Sequence, residues 1–126
     1  MKVNIYSIVS PLHNSDFMEE KTSSLLSYLR KETGYEYEQV GIEDLYKGDL
    51  SLIMVESGGS EGYFLKVFDK LKEPIVLLTF GNSNSLAASM EILTFVQNQG
   101  KKGEILHGSN EYIASRIKEL AKEARK

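Results

Sequence analysis

Residues 74–108 read PIVLLTFGNSNSLAASMEILTFVQNQGKKGEILHG, and this stretch decides the fold. Its apolar run, Ile75 to Phe80, shows no alternation, which predicts a strand covered on both faces. The polar segment 81–85 leads into a helical pattern that stops at Gly100. A short strand, Glu104 to His107, is predicted next. The order strand, helix, strand indicates a parallel sheet.

Three further strands are predicted before this stretch. The segments Val3–Val9 and Leu50–Val55 are largely apolar, whereas Tyr35–Val40 alternates and carries charge, which is typical of an edge strand. Five strands that alternate with helices predict an α/β three-layer sandwich, a five-stranded parallel sheet with helices on both faces. Placing the three apolar strands in the middle gives the flavodoxin-like order 2-1-3-4-5.

The helical patterns carry start, stop and core signals. Gly34 is expected to end the first helix in the left-handed conformation, and Ser109 is expected to cap the last helix. The predicted core faces comprise Met18, Thr22, Leu25, Leu26 and Leu29 in the first helix, Phe64, Val67, Phe68 and Leu71 in the second, and Ile113, Ile117, Leu120, Ala121 and Ala124 in the last.

Composition narrows the class of protein. The chain has 126 residues, enough for one domain, and a net charge of −3. Because no basic stripe interleaves with aromatic residues, we expect no nucleic-acid partner. The absence of cysteine excludes thiol catalysis and disulfides. With no signal peptide or membrane-length apolar run in the sequence, a cytoplasmic domain without a membrane partner is expected.

The polar loops of the predicted sheet point to one binding rim. In such sheets, ligands bind beyond the carboxyl ends of the strands, nearest the point between strands one and three where the order reverses. The segments Ser10–Ser15, Glu56–Gly62 and Gly81–Ser85 follow strands one, three and four, and His107 ends strand five. We therefore expect these segments to share one edge of the sheet.

The loop after the third strand favours a neutral ligand rich in hydroxyl groups. Its glycines would let backbone N–H groups approach a ligand, but its glutamates would repel a phosphate and accept from hydroxyls. A simple strand-to-helix turn capped by Ser60 explains the same residues equally well. The candidate binding residues here are Glu56, Ser57, Gly58, Gly59 and Glu61.

The loop after the fourth strand contributes Asn82, Ser83 and Asn84 as candidate binding residues. Asparagine and serine are preferred helix caps, but the run is longer than one cap needs. Ligand contact and capping both stay open. His107 is the better of two candidate histidines because it ends a strand at this rim, although a purely structural, hydrogen-bonded role stays open for a lone histidine. His13 follows strand one, far from strand five in the predicted order, so the two histidines are not expected to form a pair. No catalytic set or metal motif stands out.

Several of these segments resemble a known family. Residues 81–93, GNSNSLAASMEIL, residues 103–108, GEILHG, and the loop 56–61, ESGGSE, look like the amino-terminal domain of the L-fucose/L-arabinose isomerase-like sugar isomerases. The resemblance spans essentially the whole chain. It departs from the family pattern at Ala87, where a proline is expected, and at Ser83, where a second consecutive asparagine is expected.

The resemblance implies a ketol isomerase that interconverts an aldose and a ketose in a multi-domain, oligomeric enzyme using manganese or another divalent metal. The family's metal ligands lie in later domains, and none maps onto this chain. The chain is then expected to be a substrate-recognition and assembly domain, the first domain of a longer protein. It would have no catalytic residue or cofactor of its own, and its partners would be the sugar substrate and neighbouring subunits or later domains.

Two alternatives stay open. Fold analogy supports a flavodoxin-like binding module for FMN or another phosphorylated small molecule. For that role the loop after the first strand offers Ser10, Asn14 and Ser15 but no glycine. The second alternative is a regulatory interaction domain, in which the rim residues only cap helices.

Overall fold

The computed structural model describes residues 1–8, 15–55, 61–79 and 83–124, and of these it gives only the backbone for 15–22, 61, 63 and 83–85. The strands are β1 (Lys2–Ile8), β2 (Glu36–Gln39), β3 (Leu50–Val55), β4 (Ile75–Thr79) and β5 (Gly103–Leu106). The α-helices are α1 (Ser15–Thr33), α2 (Glu61–Val67), α3 (Ser83–Asn98) and α4 (Asn110–Ala124), with 3₁₀ helices at Ile42–Lys47 and Phe68–Lys70.

The five strands form one parallel sheet in the order β2-β1-β3-β4-β5, which confirms the predicted flavodoxin-like arrangement. Val55 lies opposite Ile8 on one side and opposite Thr79 on the other. Leu78 of β4 lies opposite Leu106, the last residue of β5. The carboxyl ends of four strands therefore lie level with one another along one edge of the sheet.

Helices cover both faces of the sheet, because the inner strands are apolar on both faces. On β3, Leu52 and Met54 pack with α1 and α4, whereas Ile53 and Val55 pack with α2, α3 and the first 3₁₀ helix. Both cores contain fully buried side chains from the central strands. The three-layer arrangement follows from this burial on both faces.

The first helix ends as the sequence predicts. Leu25, Leu26 and Leu29 are buried, and Gly34 has φ +73°. The N–H of Gly34 donates to the carbonyl of Arg30 at 3.0 Å. A side chain at this φ would be strained, so glycine allows the chain to leave α1 and enter β2.

Two predicted helix faces need correction. The α2 helix ends at Val67, and the chain continues as a 3₁₀ helix that places Phe68 and Leu71 one turn apart, so both are still buried. In α4, Ala114 is buried while Ala124 is exposed. Ala124 lies beside an open groove at the amino-terminal edge of the sheet, which explains its exposure.

The edge strand β2 has the half-exposed, charged character predicted for it, and the edge strand β5 is short, as predicted. In β2 only Tyr37 is buried. In β5 the carboxylate of Glu104 accepts two hydrogen bonds from Arg116 of α4, at 2.7 and 3.1 Å. This bidentate pair fixes the outer strand to the helix that covers it. None of the helices in the described ranges combines the length and the apolar character that crossing a bilayer demands.

Candidate functional site

The site predicted from the sequence belongs to the carboxyl-terminal edge of the sheet. There β1, β3 and β4 end at Ile8, Val55 and Thr79, and β5 ends at Leu106. The chain continues from these ends into the segments 9–14, 56–60 and 80–82 and into His107. Five predicted site residues lie outside the described residues: Glu56, Ser57, Gly58, Gly59 and Asn82.

Three further predicted site residues are described by their backbone. Glu61 is the first residue of α2, and Ser83 and Asn84 are the first two of α3. A helix that follows a parallel strand runs back across the sheet, so both helices begin on the side of the carboxyl edge. The first N–H groups of such a helix have no partner within the helix. The backbone at Ser83 and Asn84 therefore lies where the sequence analysis places the binding rim.

His107 is the predicted site residue whose side chain the structure describes. Its Nδ1 lies 2.7 Å from Oγ1 of Thr79. Thr79 ends β4 and is only 1% exposed, whereas the imidazole of His107 is half-buried. The same Oγ1 lies 3.4 Å from the carbonyl oxygen of Leu106. The imidazole is thus anchored through one of its two nitrogens, and Nε2 has no hydrogen-bond partner among the described residues.

Thr79 is a residue of the candidate site that the sequence pattern alone does not single out. It is the one polar residue in the apolar run from Ile75 to Phe80. A buried hydroxyl needs a hydrogen-bond partner, so its position at the end of a buried strand is a signal that the sequence contains. Naming His107 as the partner requires the register between β4 and β5, which the sequence pattern does not supply.

Strand order divides the predicted rim into two parts. Between β1 and β5 lie β3 and β4, so the ends of β1 and β5 are three strand spacings apart, roughly 14 Å. His107 is one strand from the end of β4 and two strands, roughly 10 Å, from the end of β3. The topology therefore groups His107 with the residues after β4 more closely than with the residues after β3. His13 lies outside the described residues.

A groove of about 300 Å³ lies at the opposite edge of the sheet, where β3 and β4 begin. Leu50, Val76 and Leu120 form part of its apolar lining, and the acidic residues Asp49, Glu73 and Glu123 also line it. Asp49 accepts a hydrogen bond from the backbone N–H of Lys2 at 2.7 Å. The sequence pattern does not predict this groove, because its walls come from segments far apart in the chain.

The described residues contain no group of three histidine, aspartate or glutamate side chains that could hold a metal ion. The described part of the rim can form hydrogen bonds with a ligand. His107 offers an anchored imidazole whose Nε2 has no partner among the described residues, and the first turn of α3 begins at the same edge of the sheet. Comparisons of the chain with models of known protein families and with curated proteins find no match.

Proposed function

We propose that this chain is a sugar-recognition and assembly domain of an isomerase-like protein and that it binds its ligand at the carboxyl edge of the sheet. The observation that supports the proposal most strongly is the contact between His107 and Thr79, which fixes an imidazole at the end of β5. A ring held in one orientation presents its second nitrogen to a ligand at little entropic cost.

The residues assigned to this edge suit a neutral polyol. The asparagine amides of Asn82 and Asn84 both donate and accept, so they match hydroxyl groups, which also do both. Ionised carboxylates at Glu56 and Glu61 accept from ligand hydroxyls and repel phosphate. Sugars of the fucose and arabinose type carry hydroxyl groups around one small ring, and so they meet several of these side chains at once.

In this proposal the chain recognises the sugar, and other domains carry out the isomerisation. Aldose–ketose interconversion moves a proton between neighbouring carbons and needs a base, a metal ion or both. The family resemblance assigns manganese, or another divalent metal, and its ligands to later domains of a longer protein. In this chain the proposed roles are to bind the sugar and to contact those domains or a neighbouring subunit.

Binding of L-fucose and L-arabinose to the purified chain, measured by titration calorimetry, tests the recognition role. We expect saturable binding that weakens in Asn84→Ala and His107→Gln. The matched control is Asn98→Ala, which removes an exposed asparagine from the far end of α3 and should leave the affinity unchanged. Equal binding by all four proteins would remove Asn84 and His107 from the site.

Turnover of the same sugars with added manganese tests the division of roles. The chain by itself is expected to give no isomerisation above a blank without protein. Robust turnover that follows the concentration of the chain would show that a catalytic group lies within these residues, and it would overturn the division.

The confirmed strand order supports a second candidate, a binding module for FMN or another phosphorylated molecule. Flavin fluorescence tests it directly, because a bound isoalloxazine changes its emission. A purified chain without flavin absorbance that leaves the fluorescence of added FMN unchanged would exclude the FMN version.

A further inference from the structure

We infer that Thr79 holds the imidazole of His107 in the tautomer with its proton on Nε2, so that the carboxyl edge offers a ligand a hydrogen-bond donor. Thr79 is in this sense a positioning residue, since it acts through His107. The identity of the ligand rests on the proposed function, whereas the tautomer does not.

The hydroxyl group of Thr79 makes two contacts. Thr79 Oγ1 lies 2.7 Å from His107 Nδ1 and 3.4 Å from the carbonyl oxygen of Leu106. The hydroxyl has a single proton, and a carbonyl can only accept. Good O–H···O hydrogen bonds are about 2.5–3.0 Å long, so the contact with Leu106 is a weak one.

Burial decides where that proton goes. Thr79 is 1% exposed, so water does not compete for its hydroxyl. If Nδ1 carried the imidazole proton and donated to Oγ1, the hydroxyl proton would have only the distant Leu106 carbonyl among the described residues. If the hydroxyl donates to Nδ1, its proton makes the short contact and the imidazole proton lies on Nε2. A buried donor left poorly satisfied is costly, so the second arrangement is favoured.

The consequence is a preference among ligands. An Nε2–H group pairs with an acceptor oxygen, such as a sugar hydroxyl, ring or carbonyl oxygen. An analogue with hydrogen in place of that oxygen would leave the donor unpaired and bind less tightly. The hydroxyl of Thr79 thereby selects for an oxygen at one position of the ligand although it does not touch the ligand itself.

Nuclear magnetic resonance of the full chain with isotope-labelled histidine tests the tautomer without any ligand. The nitrogen shifts of a neutral imidazole report which of its two nitrogens carries the proton, so the spectra are recorded under mildly alkaline conditions. His107→Gln identifies the signals of His107, and His13 is the internal reference. We expect the unaltered chain to show the nitrogen shifts of the Nε2–H form. Thr79→Ser should retain these shifts, because serine keeps the hydroxyl group. In Thr79→Val the shifts should change towards those of a mixture of the two tautomers. A dominant Nδ1–H form in the unaltered chain, or spectra identical in Thr79→Val, would overturn the inference.

A sugar titration of the same proteins separates this inference from the proposed function. With L-fucose, the Nε2 signal is expected to shift, and Thr79→Val is expected to bind roughly fivefold more weakly while Thr79→Ser retains its affinity. If the Nε2–H form is found but no sugar binds, the tautomer inference stands and the proposed ligand is wrong. If sugar binds the Nδ1–H form, the proposed function stands and the role given to Thr79 is wrong.

Discussion

At the scale of single residues, a chain of hydroxyl groups links the first helix to the edge strand β2. Thr33 Oγ1 lies 2.7 Å from the carbonyl oxygen of Leu29, to which it donates, so its proton is already used. The phenol of Tyr37, 2.8 Å away, must therefore be the donor to Thr33. Burial raises the pKa of Tyr37 above its ordinary value of 10.0.

Because of this buried phenol, the free energy of unfolding depends on pH in the alkaline range. Because its pKa is raised on folding, the unfolded chain loses the phenolic proton first, so the free energy of unfolding falls as pH rises above about 10. Below that range both states are protonated and the contribution is constant. We expect urea unfolding to show that Tyr37→Phe loses less stability between neutral and alkaline pH than the unaltered chain does. The loss persists in part, because burial also raises the pKa of Tyr46. Identical pH profiles for the unaltered chain and Tyr37→Phe would contradict this account.

Ser109 is the N-cap of α4, as the sequence predicts. Its Oγ accepts a hydrogen bond from the backbone N–H of Tyr112 at 3.1 Å. Removing the acceptor in Ser109→Ala is expected to lower the free energy of unfolding by about 1 kcal/mol, and Ser109→Asp should restore it. Chemical denaturation measures both. Ser115→Ala, an exposed change within the same helix, is the control and should be neutral or slightly stabilising. Equal effects of the two alanine changes would show that Ser109 does not stabilise α4 as a cap.

At the scale of the elements, the sheet closes tightly around Gly103 at the start of β5. A Cβ at this position would lie 2.9 Å from the carbonyl oxygen of Ile75 and 3.1 Å from Leu93 Cδ1. The carbonyl belongs to the neighbouring strand and cannot rotate away as a side chain can. Close approach of β5 to β4, which brings His107 to Thr79, therefore depends on glycine here.

Gly103→Ala is expected to destabilise the chain by about 1–3 kcal/mol, the usual cost of overpacking. Denaturant unfolding gives the magnitude, and the His107 nuclear magnetic resonance signal shows whether the end of β5 shifts. Gly62→Ala is the matched control, because a Cβ there meets nothing within 4 Å and alanine favours a helix. A stable Gly103→Ala variant with an unchanged His107 signal would mean that β5 adapts more freely than the contact distances indicate.

The elements also show how far the sequence predicts this fold. The apolar character of three strands was enough to place them in the middle and to give the strand order. The spacing of Phe64, Phe68 and Leu71 predicts burial correctly but does not distinguish an α-helix from an α-helix followed by a 3₁₀ turn. Apolar periodicity indicates which side of an element is buried. It does not determine the local backbone geometry, because that geometry depends on contacts with other parts of the chain.

At the scale of the whole molecule, the two edges of the sheet offer different surfaces. The amino edge has a groove with mixed apolar and acidic lining, and the carboxyl edge has the fixed imidazole of His107. The sequence predicts the carboxyl edge as a site because strand ends can be counted along the chain. It predicts neither the groove nor the contact between Thr79 and His107, since both depend on which residues of separate segments lie side by side.

We propose that the carboxyl edge, at the ends of β4 and β5, binds a polyol. The most direct test is a titration of the isotope-labelled chain with L-fucose, followed through the backbone and imidazole signals of the described residues. We expect saturable changes at Thr79, at His107 and in the first turn of α3, with Leu50 and Leu120 of the amino-edge groove unchanged. Changes confined to the groove, or no saturable change at His107, would contradict the claim.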